Sequence, residues 1–124
     1  MQTREIPRDE WVAFFDSFSR QHEGWLVRLE VFGSDIGAQV EAEEMPLQGI
    51  AADLKDGEET ISIIIGEAPE QHVAHSIAAP THVRLEETEQ GAQEVLQIES
   101  ADGSTTLLRF RSAVLPEMVD GVVT

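Results

Sequence analysis

An aromatic stripe near the start constrains this chain more than any other feature. Trp11, Phe14, Phe15 and Phe18 fall at i, i+3, i+4 and i+7, so on a helix they share one face. They are four of the seven aromatic residues in a chain of 124 that has no tyrosine. Such a face must bury against something, and the remainder of the chain has to supply that surface. The flanking residues fit a helix over residues 8–22. Pro7 suits a first turn, where its missing N–H costs nothing. Asp9 and Glu10 stand at the positive end of the helix dipole, Arg20 and His22 near the negative end. Gly24 is placed to end the helix in a left-handed conformation. Trp11 and Trp25 flank the helix and read as core rather than as a binding surface.

After Gly24 the apolar period changes from helical to alternating. Trp25, Val27, Leu29 and Val31 form one inward set, followed by Ala38, Val40 and Ala42, then Ile50, Ala52 and Leu54, then Ile61, Ile63 and Ile65. Val73 with Ile77, Val83 with Leu85, Leu96 with Ile98, and Leu108 with Phe110 complete the series. This predicts a mainly β fold of about eight short strands. The connections are too short for parallel crossovers, so the strands are antiparallel, in a meander forming a barrel or sandwich with one N-terminal amphipathic helix. The alternative is an α+β roll in which an open curved sheet wraps that helix. Alanines at inward positions 38, 42 and 52 would admit a tight barrel or a close helix. The chain reads as a single domain over 1–124: helix at 8–22, β region at 25–111, and an apolar C-terminal segment at 112–124.

Two turns make the register testable. Asp56-Gly57 is a two-residue type I′ signal, which sets Lys55 opposite Glu58, Ala52 opposite Ile61 and Ile50 opposite Ile63. A two-residue turn at Asp102-Gly103 would instead pair Leu96 with Arg109 and mix faces. A three-residue loop of Ala101, Asp102 and a left-handed Gly103, with a bulge, sets Leu96 opposite Leu108 and Ile98 opposite Thr106. The bulged form is therefore predicted. Ala78-Ala79-Pro80 reads as the turn of a further hairpin.

Composition narrows function. Eight basic residues against 24 acidic ones give a net charge of −16. That charge repels nucleic acid and anionic membranes, so neither is an expected partner. There is no cysteine, which removes disulfides, thiolate metal sites and cysteine nucleophiles. Acidic residues break up the N-terminal region where a signal peptide would need about 7 to 15 apolar residues, and no stretch reaches the roughly 18 of a membrane span. A cytoplasmic location is expected.

Chemistry-bearing motifs are sparse. The sequence has no G-x-S-x-G, no Walker A motif and no G-x-G-x-x-G. His72 and His75 fall on opposite faces of one strand, which disfavours a histidine metal site, and neither a metal nor a cofactor is expected. Asp53, Asp56, Glu58 and Glu59 gather at one hairpin, but without the spacing of a calcium loop they read as a solvated tip. The remaining ligand-binding candidates are weak. His75 shares the apolar face of its strand, where a hydrogen-bonded core histidine is the plainer reading. Arg109 and Arg111 alternate on one strand face and could hold an anion, although neutralising neighbouring glutamates is the plainer role.

The stretches REIPRDEWVAFFDSFSRQHEGWLV, DIGAQVEA and ADGSTTLLRFRSAVLPEMVDGV resemble a small bacterial domain-of-unknown-function family, number 5335. The resemblance spans essentially the whole chain and implies a stand-alone domain. It brings no activity, cofactor or catalytic residue.

The best functional expectation is a small, soluble, non-enzymatic module that binds a ligand or another protein. One alternative is a small-molecule-binding barrel with its pocket between helix and sheet, marked by an enclosed apolar cavity. Another is an enzyme using His75 with a neighbouring carboxylate. The apolar C-terminal segment and the free edges of an unclosed sheet also point to a homodimer. Light scattering on the full chain is expected to show the dimer, and a chain ending at Ser112 the monomer. Two monomers across a range of salt would refute this.

Overall fold

The computed structural model describes residues 2–33, 37–55, 58–67, 72–87 and 93–111. The turn residues Asp56 and Gly57 and the C-terminal segment 112–124 lie outside the described residues, as does the side chain of Arg111. The elements are β1 (Gln2–Glu5), a 3₁₀ turn at Arg8–Glu10, α1 (Trp11–His22), β2 (Leu26–Gly33), β3 (Gly37–Lys55), β4 (Glu58–Ile65), β5 (Val73–Ala78), β6 (Pro80–Glu87), β7 (Gln93–Ser100) and β8 (Thr105–Arg111). All eight strands belong to one antiparallel sheet in the order β1-β6-β7-β8-β2-β3-β4-β5. The sheet is open, so the alternative of a curved open sheet around the helix is the architecture.

The order has a simple physical reading. β2 to β8 form a meander whose first and last strands pair, with Leu29 opposite Leu108 and Val27 opposite Phe110. The one sequential pair left unjoined is β5 and β6. The expected hairpin at Ala78-Ala79-Pro80 therefore does not form. Ala79 takes φ 50°, a left-handed conformation that costs a non-glycine residue on the order of 1 kcal/mol. Pro80 has no N–H with which to start a ladder back to β5. The chain instead turns a corner there. The Ala79 N–H donates to the Glu59 carbonyl at 3.0 Å, the Ala101 N–H to the Ala79 carbonyl at 2.9 Å, and the Ser100 hydroxyl to the Ala78 carbonyl at 2.5 Å.

Both predicted hairpin registers are present. Lys55 opposes Glu58, Ala52 opposes Ile61 and Ile50 opposes Ile63. Leu96 opposes Leu108 and Ile98 opposes Thr106. Gly103 has φ 90°, and its N–H donates to the Ser100 carbonyl at 3.0 Å. Asp102 stabilises the loop by accepting from the Ser104 N–H and hydroxyl at 2.8 and 2.7 Å, the Asx arrangement that favours Asp in turns.

Two strand assignments need correction. β1 has no apolar alternation, and it exists because β6 offers it an edge, with Arg4 opposite Leu85 and Glu5 opposite Arg84. The segments expected as separate strands around Val40 and Ala52 are one 19-residue strand, β3. Its first part pairs with β2 through Pro46 and its second with β4 from Leu47. Bulges absorb the change of partner: the β2 ladder slips twice between Val27 and Glu30, and Glu44 takes φ 53°. These slips also overturn part of the inward set. Ala42 is buried, but Ala38 and Val40 are exposed, so these positions do not line a core. Val73, at the start of edge strand β5, is exposed as well.

The helix stripe packs as expected. Trp11, Phe15 and Phe18 are buried in the same cluster as Leu29, Ile61, Ile63, Ile65, Leu96 and Leu108. Phe14 and Trp25 are half-buried against it. The Trp11 indole N–H donates to the Ile6 carbonyl at 2.8 Å, so this buried ring keeps its polar group satisfied. Gly24, with φ 85°, ends the helix, and its N–H reaches the Leu47 carbonyl at 2.9 Å.

The helix also stands in for a strand. Where β2 ends, β3 would show an unpaired edge. The Ser19 hydroxyl donates to the Ile50 carbonyl at 3.0 Å and accepts from the Ile50 N–H at 2.9 Å. Ser19→Ala leaves both groups without that partner, and thermal or urea unfolding is expected to show a loss of about 1–3 kcal/mol. Arg20→Ala, on the exposed face, should stay within about 0.5 kcal/mol.

Candidate functional site

Between α1 and the β1–β6 side of the sheet runs an open groove of about 270 Å³. The surface it exposes is mostly polar, and an aromatic row underlies it: Phe14 and Phe18 stack at 5.2 Å and 26°, and Phe18 stacks on His22 at 3.9 Å and 22°. Leu85 of β6 faces them. Helical spacing explains the row, since residues 14, 18 and 22 lie one turn apart on the helix. Around the floor stand Arg4 from β1, Ser17 and Gln21 from α1, and Glu87 from β6.

His22 is the site residue that sequence reasoning missed. Its position near the helix C-terminus suggests only a favourable charge, whereas it is buried at 4% exposure and packs edge-on against Trp25 at 4.4 Å. Its Nδ1 lies 2.9 Å from the Phe18 carbonyl. A carbonyl can only accept, so Nδ1 carries a proton there. The signal was present in the pattern, because position 22 continues the row 11, 15, 18 on the buried face.

Arg4 stands apart electrostatically. Among the described residues, Arg8 pairs with Glu59, Arg20 with Asp16, Arg28 with Glu30 and Glu43, Lys55 with Asp53, Arg84 with Glu5 and Glu99, and Arg109 with Glu30. Arg4 forms no ion pair among them. Its guanidinium lies over the Phe14 ring at 5.9 Å from the centroid, at the mouth of the groove.

The sequence-predicted candidates lie elsewhere. Arg109 is on the far face of the sheet, its Nε 2.8 Å from a Glu30 carboxylate oxygen. That hydrogen bond, with the charges of Arg109 and Arg28, holds the Glu30 carboxyl below its ordinary value against the opposing effect of desolvation. Arg111 ends β8, and its side chain is outside the description. His75 is half-buried on edge strand β5, with its Nε2 3.5 Å from the Thr106 hydroxyl. No carboxylate lies within hydrogen-bond reach of it among the described residues, and Glu41 acts on it only through its charge. His75, Arg109 and the groove are thus separate places.

Among the described residues, no cluster of three or more His, Asp or Glu could hold a metal ion, and no helix is long and apolar enough to cross a membrane.

The fold defines a class: an open antiparallel roll of eight strands around one aromatic helix, with a half-open groove beside that helix. The chain belongs to the family described as "Family of unknown function (DUF5335)", whose model matches residues 2–118. It is 33% identical over 118 residues to an "Uncharacterized protein" of Aquifex aeolicus (strain VF5), a match covering 94% of this chain and 100% of that relative. No solved structure matches it.

Burial lowers the His75 pKa from 6.5, and the Glu41 charge only partly opposes this. The unfolded chain therefore takes up the proton first, and stability falls as pH drops below about 6.5 toward the lowered value. His75→Gln should flatten the part of the stability profile that lies in that window, as read by urea midpoints at a series of pH values. An unchanged profile would refute this.

Proposed function

We propose that this protein is a small, non-enzymatic cytoplasmic binding module whose ligand site is the groove between α1 and the β1–β6 edge. The observation that carries the reading is the convergence of Arg4, Ser17, Gln21 and Glu87 on a floor of stacked rings. Binding sites commonly combine an apolar base with a few placed polar groups. The volume, about 270 Å³, suits a ligand smaller than a nucleotide cofactor. The groove is half open and mixed in polarity, so it differs from the enclosed apolar cavity of a barrel carrier. Binding is favoured over catalysis because His75 has a hydroxyl partner and no carboxylate one among the described residues, and because His22 is tied to the backbone carbonyl of its own helix.

A second reading, self-association, rests on β5. This edge strand carries no charged residue, and Val73 on it and Ile64 beside it are exposed. Edge strands usually carry charge, proline or a cover against pairing.

Screening a library of small polar metabolites by chemical-shift mapping on the full chain tests the groove. Binders are expected to shift Ser17, Gln21, His22 and Leu85 together. Phe14→Ala should weaken them roughly tenfold while leaving the fold intact, because Phe14 is only half-buried. Binders that shift only residues remote from α1 would overturn the proposal.

A further inference from the structure

We propose that the ligand of the groove is a zwitterion of the free amino acid type with a flat, apolar or aromatic side chain. This rests on the groove being a binding site. Arg4 takes the carboxylate, Glu87 takes the ammonium group, and the side chain lies on the Phe14–Phe18–His22 row.

The placement of the two charges carries the inference. Arg4 opposes Leu85 across the β1·β6 ladder, so Glu87 lies two residues further along β6 on the same face. Diagonal neighbours of this kind are about 7–8 Å apart at the backbone. Arg4 and Glu87 nevertheless form no ion pair with each other, and neither has another ionic partner among the described residues. Elsewhere on this surface the described arginines have found a carboxylate. A groove flanked by one cation and one anion that have no ionic partner among the described residues, at ladder spacing, is complementary to a molecule carrying both signs close together.

Net charge separates the alternatives. A plain anion would approach Arg4 against the field of a chain with net charge −16. A plain cation would satisfy Glu87 but meet Arg4 in the same groove. A zwitterion has no net charge to be repelled and satisfies both groups. The floor sets the rest of the ligand. Phe14, Phe18 and His22 stack on one another, with interplanar angles of 26° and 22°, so their faces cover each other and the row turns ring edges toward the groove, against which the face of a flat group can pack edge-to-face.

The test uses the isotopically labelled full chain and three probes: L-phenylalanine, N-acetyl-L-phenylalanine and L-phenylalaninamide. The free amino acid is expected to shift Ser17, Gln21 and Leu85 and to saturate with a Kd of about 0.1–1 mM, in keeping with its size. Each capped probe, which lacks one charge, should bind roughly tenfold more weakly. Arg4→Gln should erase the preference for the acid over the amide, and Glu87→Gln the preference for the free amine over the acetylated one. If either capped probe binds the unaltered chain as tightly as the free amino acid, the proposal is wrong. If metabolites of another class occupy the groove and all three probes fail, the zwitterion falls and the site stands. If nothing of any class binds in the groove, the site itself falls.

Discussion

An α-helix with its side chains is about 10 Å across, whereas the interior of a barrel of about eight strands has room for little more than the side chains of its own strands. That mismatch governs this structure. Trp11, Phe15 and Phe18 lie in one continuous core with the inward residues of the sheet, so the helix takes space that a closed barrel does not have. The sheet has to stay open. The opening does not fall between the first and last strands of the meander, since β2 and β8 pair in full register. It falls between β5 and β1, the strand that covers the edge of β6, because a left-handed Ala79 and a proline without an N–H discourage a β5–β6 hairpin.

The groove follows from the same constraint. On one side α1 is bound closely to β3, through the Ser19 hydroxyl on Ile50 and the Gly24 N–H on Leu47. Its other side faces β1 and β6, where Leu85 is the apolar contact and Arg4 and Glu87 are the neighbours. A helix fastened to one flank of an open sheet leaves space along the other. Phe14 is the member of the stripe on that side, which accounts for its being half-buried while Trp11, Phe15 and Phe18 are buried.

Much of this was legible in the sequence because it depends on local periods and turn chemistry. The stripe at 11, 14, 15 and 18, the change of period after Gly24 and the bulged turn at Gly103 are all decided within a few residues of chain. What was hidden depends on partners far away. Gln2–Glu5 has no strand pattern of its own and pairs only because β6 has an edge to offer. β3 reads as two strands because its bulges shift the alternation between them, and the same shift places Ala38 and Val40 in solvent. Val73 alternates correctly, yet it sits on an outermost strand that no neighbour covers among the described residues. The site was the least legible part. An arginine on an unpatterned strand gains meaning only once the pairing of the other cations is known.

Strand β1 links the architecture to the chemistry. It is four residues long, and beyond its ladder to β6 it is held by Glu5, which lies 2.7 Å from His82 and 3.3 Å from Arg84. The His82 hydrogen bond is the main reason that the Glu5 carboxyl titrates below its ordinary value, with the charges of His82 and Arg84 adding to it against some desolvation. A carboxyl lowered in the folded state stabilises above its unfolded value, and that support fades as pH falls through the lowered one. Arg4 precedes Glu5 in the chain and projects from the opposite face of the strand, toward the groove. An exposed ion network on the outer face thus holds in place the cation on the inner one, and the order of the groove depends on contacts that lie outside it.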